Sequence, residues 1–218
     1  MRGTGDRVAP APLVILGGGG HAKVVVGVLL RLGYRVLGYM DAVRRGTILG
    51  IGCLGTDEDL PAILEAHPAC AAVLGLGKVN TSAARLELQR RVSALGFSFP
   101  PIVAPAALVN QEVTLGAGTV VLDGAVVNCS ASCGDGCIIN SNATVEHDCV
   151  LGMNVHVAPG AVLNGGVLVG DHCMIGAGAV VVQYRSIAAG TLIAAGATVI
   201  RDIDELGIYA GCPARRIA

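Results

Sequence analysis

Glu146, His147 and Asp148 are three consecutive residues whose side chains can hold and move a proton. Histidine titrates near neutral pH, and a neighbouring carboxylate can orient its ring and stabilise the protonated form. The order of these residues therefore predicts a general base that takes a proton from an attacking nucleophile. A solvated surface turn is the alternative, so the prediction depends on the elements that present the three residues.

Those elements follow a six-residue repeat from Val103 to Val199. Every sixth residue in this range is Leu, Ile or Val, apart from Cys133. A helix has a period of 3.6 residues and a strand a period of two, so neither alone produces a strict period of six. A β-solenoid does, because each short strand sends one aliphatic residue inward before the chain bends. Three such units form a triangular coil of 18 residues.

Residues that are 18 positions apart should stack on one corner of this solenoid. One corner then carries a polar ladder made of Asn110, Asn128, Glu146 and Asn164. The next two positions on the same corner contain His147 and Asp148, and the following coil contributes Gly165 and Gly166. Residues 146–148 thus place a cluster of charged side chains on a corner whose stacked positions in the two neighbouring coils are uncharged. The two glycines predict open space for a substrate beside the imidazole.

The other histidines and the cysteines of the repeat do not predict a metal site. His156 lies nine residues after His147 and His172 a further sixteen, whereas ligands on one corner should be 18 or 36 residues apart. Free cysteines in inward positions pack as small apolar groups, and four occupy such positions: Cys133, Cys137, Cys149 and Cys173. We expect no metal within one subunit, while ligands shared across a subunit interface remain open.

The first hundred residues predict a small α/β domain. Strands near 13–16, 35–40 and 71–76 alternate with helices that end near residues 32 and 95. This order is typical of a parallel sheet with crossover helices, as in a Rossmann-like fold. Pro100-Pro101 then precedes the repeat. The expected divisions are a flexible tail at 1–12, the Rossmann-like domain at 13–100, the solenoid at 101–202 and a C-terminal cap at 203–218.

A glycine-rich turn between the first strand and its helix predicts a phosphate site. Gly17, Gly19 and Ala22 match G-x-G-x-x-G/A, and Asp41 ends the second strand. Glycine lets the backbone approach a phosphate, which the helix N-terminus then binds. NAD binds across two mononucleotide-binding halves, and about 100 residues are too few to form both. The size of the domain therefore favours a nucleotide-linked substrate over NAD. Phosphate contact and a solvated helix end both stay open for the two lysines, Lys23 and Lys78.

The composition argues against several classes of function. The net charge is -1 and 3% of the residues are aromatic, so the chain has neither a basic surface nor a stacking platform for nucleic acid. No apolar run approaches the roughly 18 residues of a membrane span, and no signal peptide is predicted. We therefore expect a cytoplasmic protein that does not bind nucleic acid and does not insert into a membrane.

Over almost its whole length the chain resembles the left-handed β-helix acyltransferases that N-acetylate nucleotide-linked amino sugars. The segments that carry this resemblance are GGGGHAKVV at 17–25, GYMD at 38–41, TVEHDCVLG at 144–152, VHVAPGAVLNG at 155–165 and GCPARRI at 211–217. GDP-perosamine and UDP-4-amino-sugar acetyltransferases are similar in pattern, and sialic acid O-acetyltransferase-like proteins share the layout. The resemblance implies a Rossmann-like α/β domain followed by an all-β left-handed parallel β-helix.

The resemblance also implies roles for particular residues. His147 would be the catalytic base, and Asp148 the acid that raises its basicity, where some relatives carry the longer Glu. The sugar nucleotide would contact Gly19, Gly20, His21, Asp41 and, further along the chain, Gly77. Acetyl-CoA would contact His156 and the backbone near Ala177 and Ala195. Lys23 remains a candidate for the substrate phosphates on its position alone.

Together with the His147–Asp148 pair and the glycine turn, the resemblance implies direct acetyl transfer from acetyl-CoA to the C4 amine of a nucleotide-diphospho-4-amino-sugar. The resemblance implies a homotrimer with acetyl-CoA between neighbouring solenoids, and closed symmetry agrees with it. O-acetylation of a sugar hydroxyl uses the same base and stays open. A non-catalytic solenoid scaffold is a third alternative, although the regular outward Thr columns of an ice-binding surface are missing. The sequence does not decide between guanine and uracil in the nucleotide.

Overall fold

The computed structural model describes residues 11–43 and 46–218, so residues 1–10 of the predicted tail lie outside the described residues. The N-terminal domain is built on one five-stranded sheet. Its strands are β1 (Leu13–Leu16), β2 (Val36–Met40), β3 (Thr47–Ile48), β4 (Ile51–Gly55) and β5 (Ala71–Leu74), in the order β3-β4-β2-β1-β5. Its helices are α1 (Gly20–Arg31), α2 (Leu60–Ala66) and α3 (Ala84–Ala94), with a short 3-10 helix at Asp57–Asp59.

β1 lies at the centre of the sheet and pairs in parallel with β2 and β5. All four of its residues are buried, which explains an apolar run without alternation, since helices cover both faces of such a strand. The predicted strands and helices of this domain are confirmed. The β3–β4 hairpin and α2 were not predicted, because β3 has two residues and α2 is a seven-residue helix that contains Pro61.

The solenoid contains seventeen two-residue strands at intervals of six residues, which confirms the repeat. They are β6 (Ile102–Val103), β7 (Leu108–Val109), β8 (Thr114–Leu115), β9 (Val120–Val121), β10 (Val126–Val127), β11 (Ser132–Cys133), β12 (Ile138–Ile139), β13 (Thr144–Val145), β14 (Val150–Leu151), β15 (His156–Val157), β16 (Val162–Leu163), β17 (Leu168–Val169), β18 (Met174–Ile175), β19 (Val180–Val181), β20 (Ser186–Ile187), β21 (Leu192–Ile193) and β22 (Thr198–Val199). The chain ends with β23 (Ile208–Ala210) and β24 (Arg215–Arg216).

Strands 18 residues apart pair in parallel and form the three faces of a triangular prism. The first face contains β6, β9, β12, β15, β18 and β21 and is extended by β23 and β24. The second face runs from β7 to β22, and the third face from β8 to β20. The register is uniform: Val127 lies opposite Val145, which in turn lies opposite Leu163. Stacking on common corners, as the repeat predicts, follows directly from this register.

The interior of the prism holds the aliphatic position of each repeat. From Val121 to Val199 every one of these residues is buried. The four cysteines predicted to be core are also buried, and three of their thiols donate to backbone carbonyls of the next coil. Burial raises the pKa of the Cys137 thiol to about 11. These cysteines are therefore packing groups that stay protonated at neutral pH.

The N-terminal domain covers the first face of the prism. Ile102, Val120 and Ile138 point outward from that face and are buried in one cluster with Val25 and Leu29 of α1. Helix α3 and the loop before it reach the corner between the third and first faces, where the polar contacts described below are made. The corner between the second and third faces therefore lies on the side of the prism opposite to the N-terminal domain.

Candidate active site

His147 and Asp148 form a hydrogen-bonded pair on that opposite corner, between β13 and β14. Nδ1 of His147 lies 2.7 Å from Oδ2 of Asp148. An ionised carboxylate only accepts hydrogen bonds, so the proton of the neutral ring is on Nδ1 and Nε2 has a free lone pair. About half of the His147 side chain is exposed. The shorter acid thus reaches the imidazole, and the pair has the arrangement of a general base with its orienting group.

The corner conformation brings the two side chains together. Asp148 has a φ of +60°, and its backbone N–H donates to the carbonyl of Cys129 in the preceding coil at 3.2 Å. From Glu112 to Gly196 every sixth residue lies in this left-handed region, which Gly, Asn and Asp tolerate best. Asp is therefore suited to this position by its backbone as well as by its carboxylate.

Glu146 faces a different neighbour. Nδ2 of Asn128 donates to Oε2 of Glu146 at 2.8 Å, and Nδ2 of Asn110 donates to Oδ1 of Asn128 at 2.6 Å. Three members of the predicted polar ladder thus form a chain of hydrogen bonds along the stack, whereas Nδ2 of the fourth, Asn164, donates to the carbonyl of Val181. The hydrogen bonds of the ladder hold the Glu146 carboxylate toward the preceding coil, while Asp148 bonds to the imidazole.

The predicted open space at Gly165 and Gly166 is not empty. A Cβ built on Gly165 would lie 2.5 Å from Nε2 of His147, and one built on Gly166 would lie 2.5 Å from Cδ1 of Tyr184. The glycines do make room, but that room is taken by the imidazole and by a phenol ring from the following coil. The expectation of a vacant notch was wrong because His147 itself leans over the next coil.

A cleft of about 520 Å³ opens at the carboxyl ends of β1, β2 and β5, where parallel sheets usually bind nucleotides. The residues that line it include five predicted to bind substrate: Gly19, Gly20, His21, Asp41 and Gly77. Oδ2 of Asp41 accepts the backbone N–H of Gly18 at 2.8 Å, which ties the glycine turn to the end of β2. Helix α1 begins at Gly20, so its free N–H groups border the cleft and can bind an anion.

A second cavity of about 770 Å³ adjoins this cleft and shares Gly17, Asp41 and Leu76 with it. It extends between α2 and α3, past the residues that follow β4. The sequence did not indicate it, because α2 was not predicted. Lys23 does not line either space and is exposed on α1.

Lys78 is neither a phosphate contact nor a solvated helix end, and both predictions for it were wrong. It is buried between the domains, where Nζ donates to the carbonyls of Asn154, His172 and Cys173 at 2.8, 2.6 and 3.3 Å. Burial lowers the pKa of Lys78 to about 8, so it is still charged at neutral pH. Arg85 of α3 reinforces this contact by donating to the carbonyl of Gly136 at 2.6 Å.

His156 lies on the first face, beneath the N-terminal domain. Its Nδ1–H donates to the carbonyl of Lys78 at 2.7 Å, and its Nε2 lies 3.0 Å from Nδ2 of Asn140. Burial is the main reason that its pKa falls to about 4, so the ring is neutral. Burial likewise lowers the pKa of His21 to about 3. Asn140 was missed, although it is the polar residue of the column that also contains Leu122 and Ala158.

The two residues expected near acetyl-CoA by resemblance, Ala177 and Ala195, are exposed and stack on the corner between the first and second faces. His156 precedes the same corner, whereas His147 lies on a different one. The structure therefore brings the predicted residues together in two groups. The cleft and His156 lie on the side of the N-terminal domain, and His147 with Asp148 lies on the far side of the prism.

Two broader features concern the described part of the chain. Within residues 11–43 and 46–218, no three His, Cys, Asp or Glu side chains are grouped closely enough to hold a metal ion. Over the same ranges, no helix has the length and apolar character needed to cross a membrane.

A parallel β-helix of six-residue repeats, with a histidine–carboxylate pair on one corner, defines the class of hexapeptide-repeat acyltransferases. The comparisons with known proteins agree with this class. Residues 12–90 match the family model of the PglD N-terminal domain. Residues 130–165 and 149–183 match the model of the bacterial transferase hexapeptide of six repeats. A search among curated proteins finds no match.

Several solved structures share both domains. One is an asparagine-for-histidine mutant of perosamine N-acetyltransferase from Caulobacter crescentus, in complex with CoA and GDP-perosamine. Its sequence is 36% identical to this chain, and the match covers 95% of this chain and 97% of that chain with a TM-score of 0.90. The acetyltransferase domain of PglB from Neisseria gonorrhoeae is 33% identical, over 94% and 99% of the two chains, with a TM-score of 0.88. WeeI from Acinetobacter baumannii is 24% identical and shares the fold, with a TM-score of 0.84 over 95% and 100% of the chains.

This chain belongs to the family of left-handed β-helix sugar acetyltransferases that these structures represent, and it is an acyltransferase. The fold predicted from the repeat and from the glycine turn is thereby confirmed, and so is the left-handed sense that the family resemblance implied.

Proposed function

We propose that the protein transfers the acetyl group of acetyl-CoA to the C4 amine of a nucleotide-diphospho-4-amino-sugar. The observation that carries this proposal is the hydrogen bond between His147 and Asp148, which leaves Nε2 of the imidazole as a proton acceptor. The Caulobacter relative was crystallised with CoA and GDP-perosamine, and the Neisseria domain with acetyl coenzyme A. These ligands support the choice of an acetyl donor and a nucleotide-linked amino sugar.

The reaction needs one proton to move. As the neutral amine attacks the thioester carbonyl carbon, its nitrogen forms the new C–N bond and Nε2 of His147 takes a proton from it. The C–S bond then breaks, and the imidazolium returns the proton to the departing thiolate, which leaves as CoA thiol. Asp148 holds the ring and stabilises its positive form. A general base of this kind contributes roughly 10²–10⁴-fold to the rate.

The cleft of the N-terminal domain supplies the nucleotide end of the site in this proposal. Gly19 and Gly20 let the backbone approach the diphosphate at the start of α1, where the helix dipole favours negative charge. His21, Asp41 and Gly77 line the same cleft. Lys23, one turn into α1, is exposed and does not line the cleft itself, and it stays a candidate for the substrate phosphates on its position alone.

The two halves of the site come from different protomers. The cleft lies over the first face, whereas His147 is on the corner opposite that face, so one chain does not bring a bound sugar to its own base. A homotrimer resolves this, because closed symmetry repeats one contact around an axis and places each cleft against a neighbour's corner. The third face beside His147 exposes Val150 and Leu168 by about half, an apolar pair that a neighbour would cover.

In this assembly acetyl-CoA lies between neighbouring solenoids, near His156, Ala177 and Ala195 of one protomer and His147 of the next. The cytoplasmic location expected from the sequence belongs to the same proposal. O-acetylation of a sugar hydroxyl is chemically compatible with the His147–Asp148 pair, but the nucleotide-type cleft favours an activated amino sugar as acceptor.

The test is release of CoA thiol from acetyl-CoA with a panel of acceptors: GDP- and UDP-linked 4-amino sugars, the same nucleotides with a 4-hydroxyl sugar, and free sialic acid. We expect turnover with a 4-amino sugar nucleotide, product masses that show an amide, and a trimer by light scattering. The His147→Ala variant should fold normally and lose about 10²–10⁴-fold in kcat. If sialic acid is acetylated and none of the sugar nucleotides is, the protein is an O-acetyltransferase. If no acceptor causes thiol release, the result favours the scaffold alternative.

A further inference from the structure

Tyr184 stands on the same corner as Asp148, two coils further along the solenoid. Its φ is +56°, and 68% of the residue is exposed. A left-handed backbone is strained for a bulky aromatic residue, whereas Gly or Asn would occupy the position with little strain. The other non-glycine residues with positive φ in the solenoid are polar: Glu112, Ser130, Asn142, Asp148, Asn154 and His172. An exposed phenol in a costly backbone conformation does not serve the fold.

The position of the phenol ring relates it to the candidate base. A Cβ on Gly166 would lie 2.5 Å from the Tyr184 ring, and a Cβ on the adjacent Gly165 would lie 2.5 Å from Nε2 of His147. Two neighbouring glycines are therefore covered by rings that lean onto the same coil from opposite sides. The imidazole comes from the preceding coil and the phenol from the following one. Tyr184 thus bounds the C-terminal side of the space next to the proton-accepting nitrogen.

We infer that Tyr184 contacts the acceptor, with its ring stacked against the apolar face of the hexose whose amine is presented to His147. This inference rests on the proposed function. The reacting amine must lie at Nε2, and the sugar ring is attached to that nitrogen directly. Adjacent coils are about 4.8 Å apart, close to the width of a hexose, so the sugar falls within reach of Tyr184. Flat aromatic rings bury apolar surface at little entropic cost, which suits a sugar face better than a narrow, flexible pantetheine arm.

The experiment compares Tyr184→Gly and Tyr184→Phe with wild type in steady-state kinetics for both substrates. Tyr184→Gly should raise the KM for the sugar nucleotide about tenfold and leave the KM for acetyl-CoA within about twofold. It should not lower Tm, because glycine removes the backbone strain. Tyr184→Phe should keep the wild-type KM, since the ring carries the contact. The matched control is Glu112→Gly, which relieves a similar positive φ, +60° against +56° for Tyr184, on the same corner two coils to the other side of Asp148.

Each other outcome counts against the inference. An unchanged KM for the sugar nucleotide in Tyr184→Gly overturns it, and a rise confined to acetyl-CoA assigns the ring to the donor instead. Loss of the trimer in Tyr184→Gly, measured by light scattering, makes the residue an interface contact. If wild-type protein releases no thiol with any acceptor, the proposed function fails and this inference fails with it. If wild-type protein turns over normally and the kinetics of Tyr184→Gly are unaltered, the inference about Tyr184 fails while the proposed function stands.

Discussion

Nδ1 of His147 lies 2.7 Å from Oδ2 of Asp148, its own neighbour in the sequence, and this contact decides which ring nitrogen can accept a proton. A carboxylate cannot donate to Nδ1, so the neutral ring keeps its proton there and Nε2 is available. The left-handed backbone of Asp148 makes a contact between consecutive residues possible. One short segment therefore supplies both the base and its orienting group.

Asp148→Asn tests this contact. An amide can donate to Nδ1 and so favour the ring form with its proton on Nε2, where the base is lost. We expect kcat to fall by about 100-fold or more in steady-state thiol release, while Tm stays within about 2 °C because Asn tolerates a φ of +60°. Asp148→Glu keeps a carboxylate and is the control, with kcat within about tenfold of wild type. Equal losses in the two variants would contradict the orienting role.

Gly165→Ala tests the placement of the imidazole. The new methyl group would lie 2.5 Å from Nε2 of His147, so the ring must turn away from its position over the next coil. A displacement of this size at a reacting nitrogen is expected to lower kcat about tenfold or more. The fold should tolerate the change, because the φ of Gly165 is not in the left-handed region. Gly52→Ala, whose Cβ meets nothing within 4 Å, is the matched control. Wild-type kcat in Gly165→Ala would show that the ring is free to move.

The repeat was enough to predict much of the fold and the corner that carries His147. A strict period of six leaves one solution for the aliphatic residues, and stacking in eighteens then places Glu146, His147 and Gly165 on one corner. The glycine turn was similarly informative about the fold, because it marks the junction of β1 and α1, where Gly17 has a φ of +97°. These predictions succeeded because local geometry alone determines them.

Lys78 shows where such reasoning fails. Its sequence position, after a glycine turn, is that of a phosphate ligand, yet its partners are carbonyls 76 to 95 residues away. Contacts of that range depend on how the domains dock, and no local pattern encodes docking. The same limit applies to His156, whose environment comes from Lys78, and to Tyr184, whose ring is placed by a glycine one coil away.

Lys78→Met should loosen the contact between the domains. It removes the ammonium donor from three carbonyls. The carbonyl of Cys173 still accepts the backbone N–H of His156, but those of Asn154 and His172 lose this donor, which costs about 3 kcal/mol or more. We expect Tm to fall by about 6 °C or more in thermal unfolding followed by circular dichroism. Lys23→Met, in which the lysine is exposed on α1, should leave Tm nearly unchanged. Equal Tm values for the two variants would show that the buried ammonium contributes nothing to docking.

Acid should destabilise the protein through His156. Burial lowers its pKa to about 4, whereas an unfolded histidine has its ordinary pKa of 6.5. The unfolded state therefore binds more protons between these values. Stability is full above pH 6.5 and is lost as the pH falls through about 4, by on the order of 3 kcal/mol. His21, with a pKa near 3, acts in the same direction. Tm measured from pH 7.5 to pH 4.5 should fall more steeply for wild type than for His156→Gln. Parallel curves of Tm against pH for the two proteins would show that protonation of His156 does not cause the loss of stability in acid.

Mixed trimers test whether the site is shared between protomers. His147→Ala removes the base, and Gly19→Asp places a negative charge in the cleft, where it repels a diphosphate while still capping α1 well. Each variant alone should be nearly inactive. When the two are refolded or co-expressed in equal amounts, random assembly gives each interface a one-in-two chance of an intact cleft and a one-in-two chance of an intact base. About a quarter of the wild-type kcat should return, because symmetric association repeats the same interface around the axis. A site built within one chain would recover nothing, since every chain in the mixture then carries a defect in its own site.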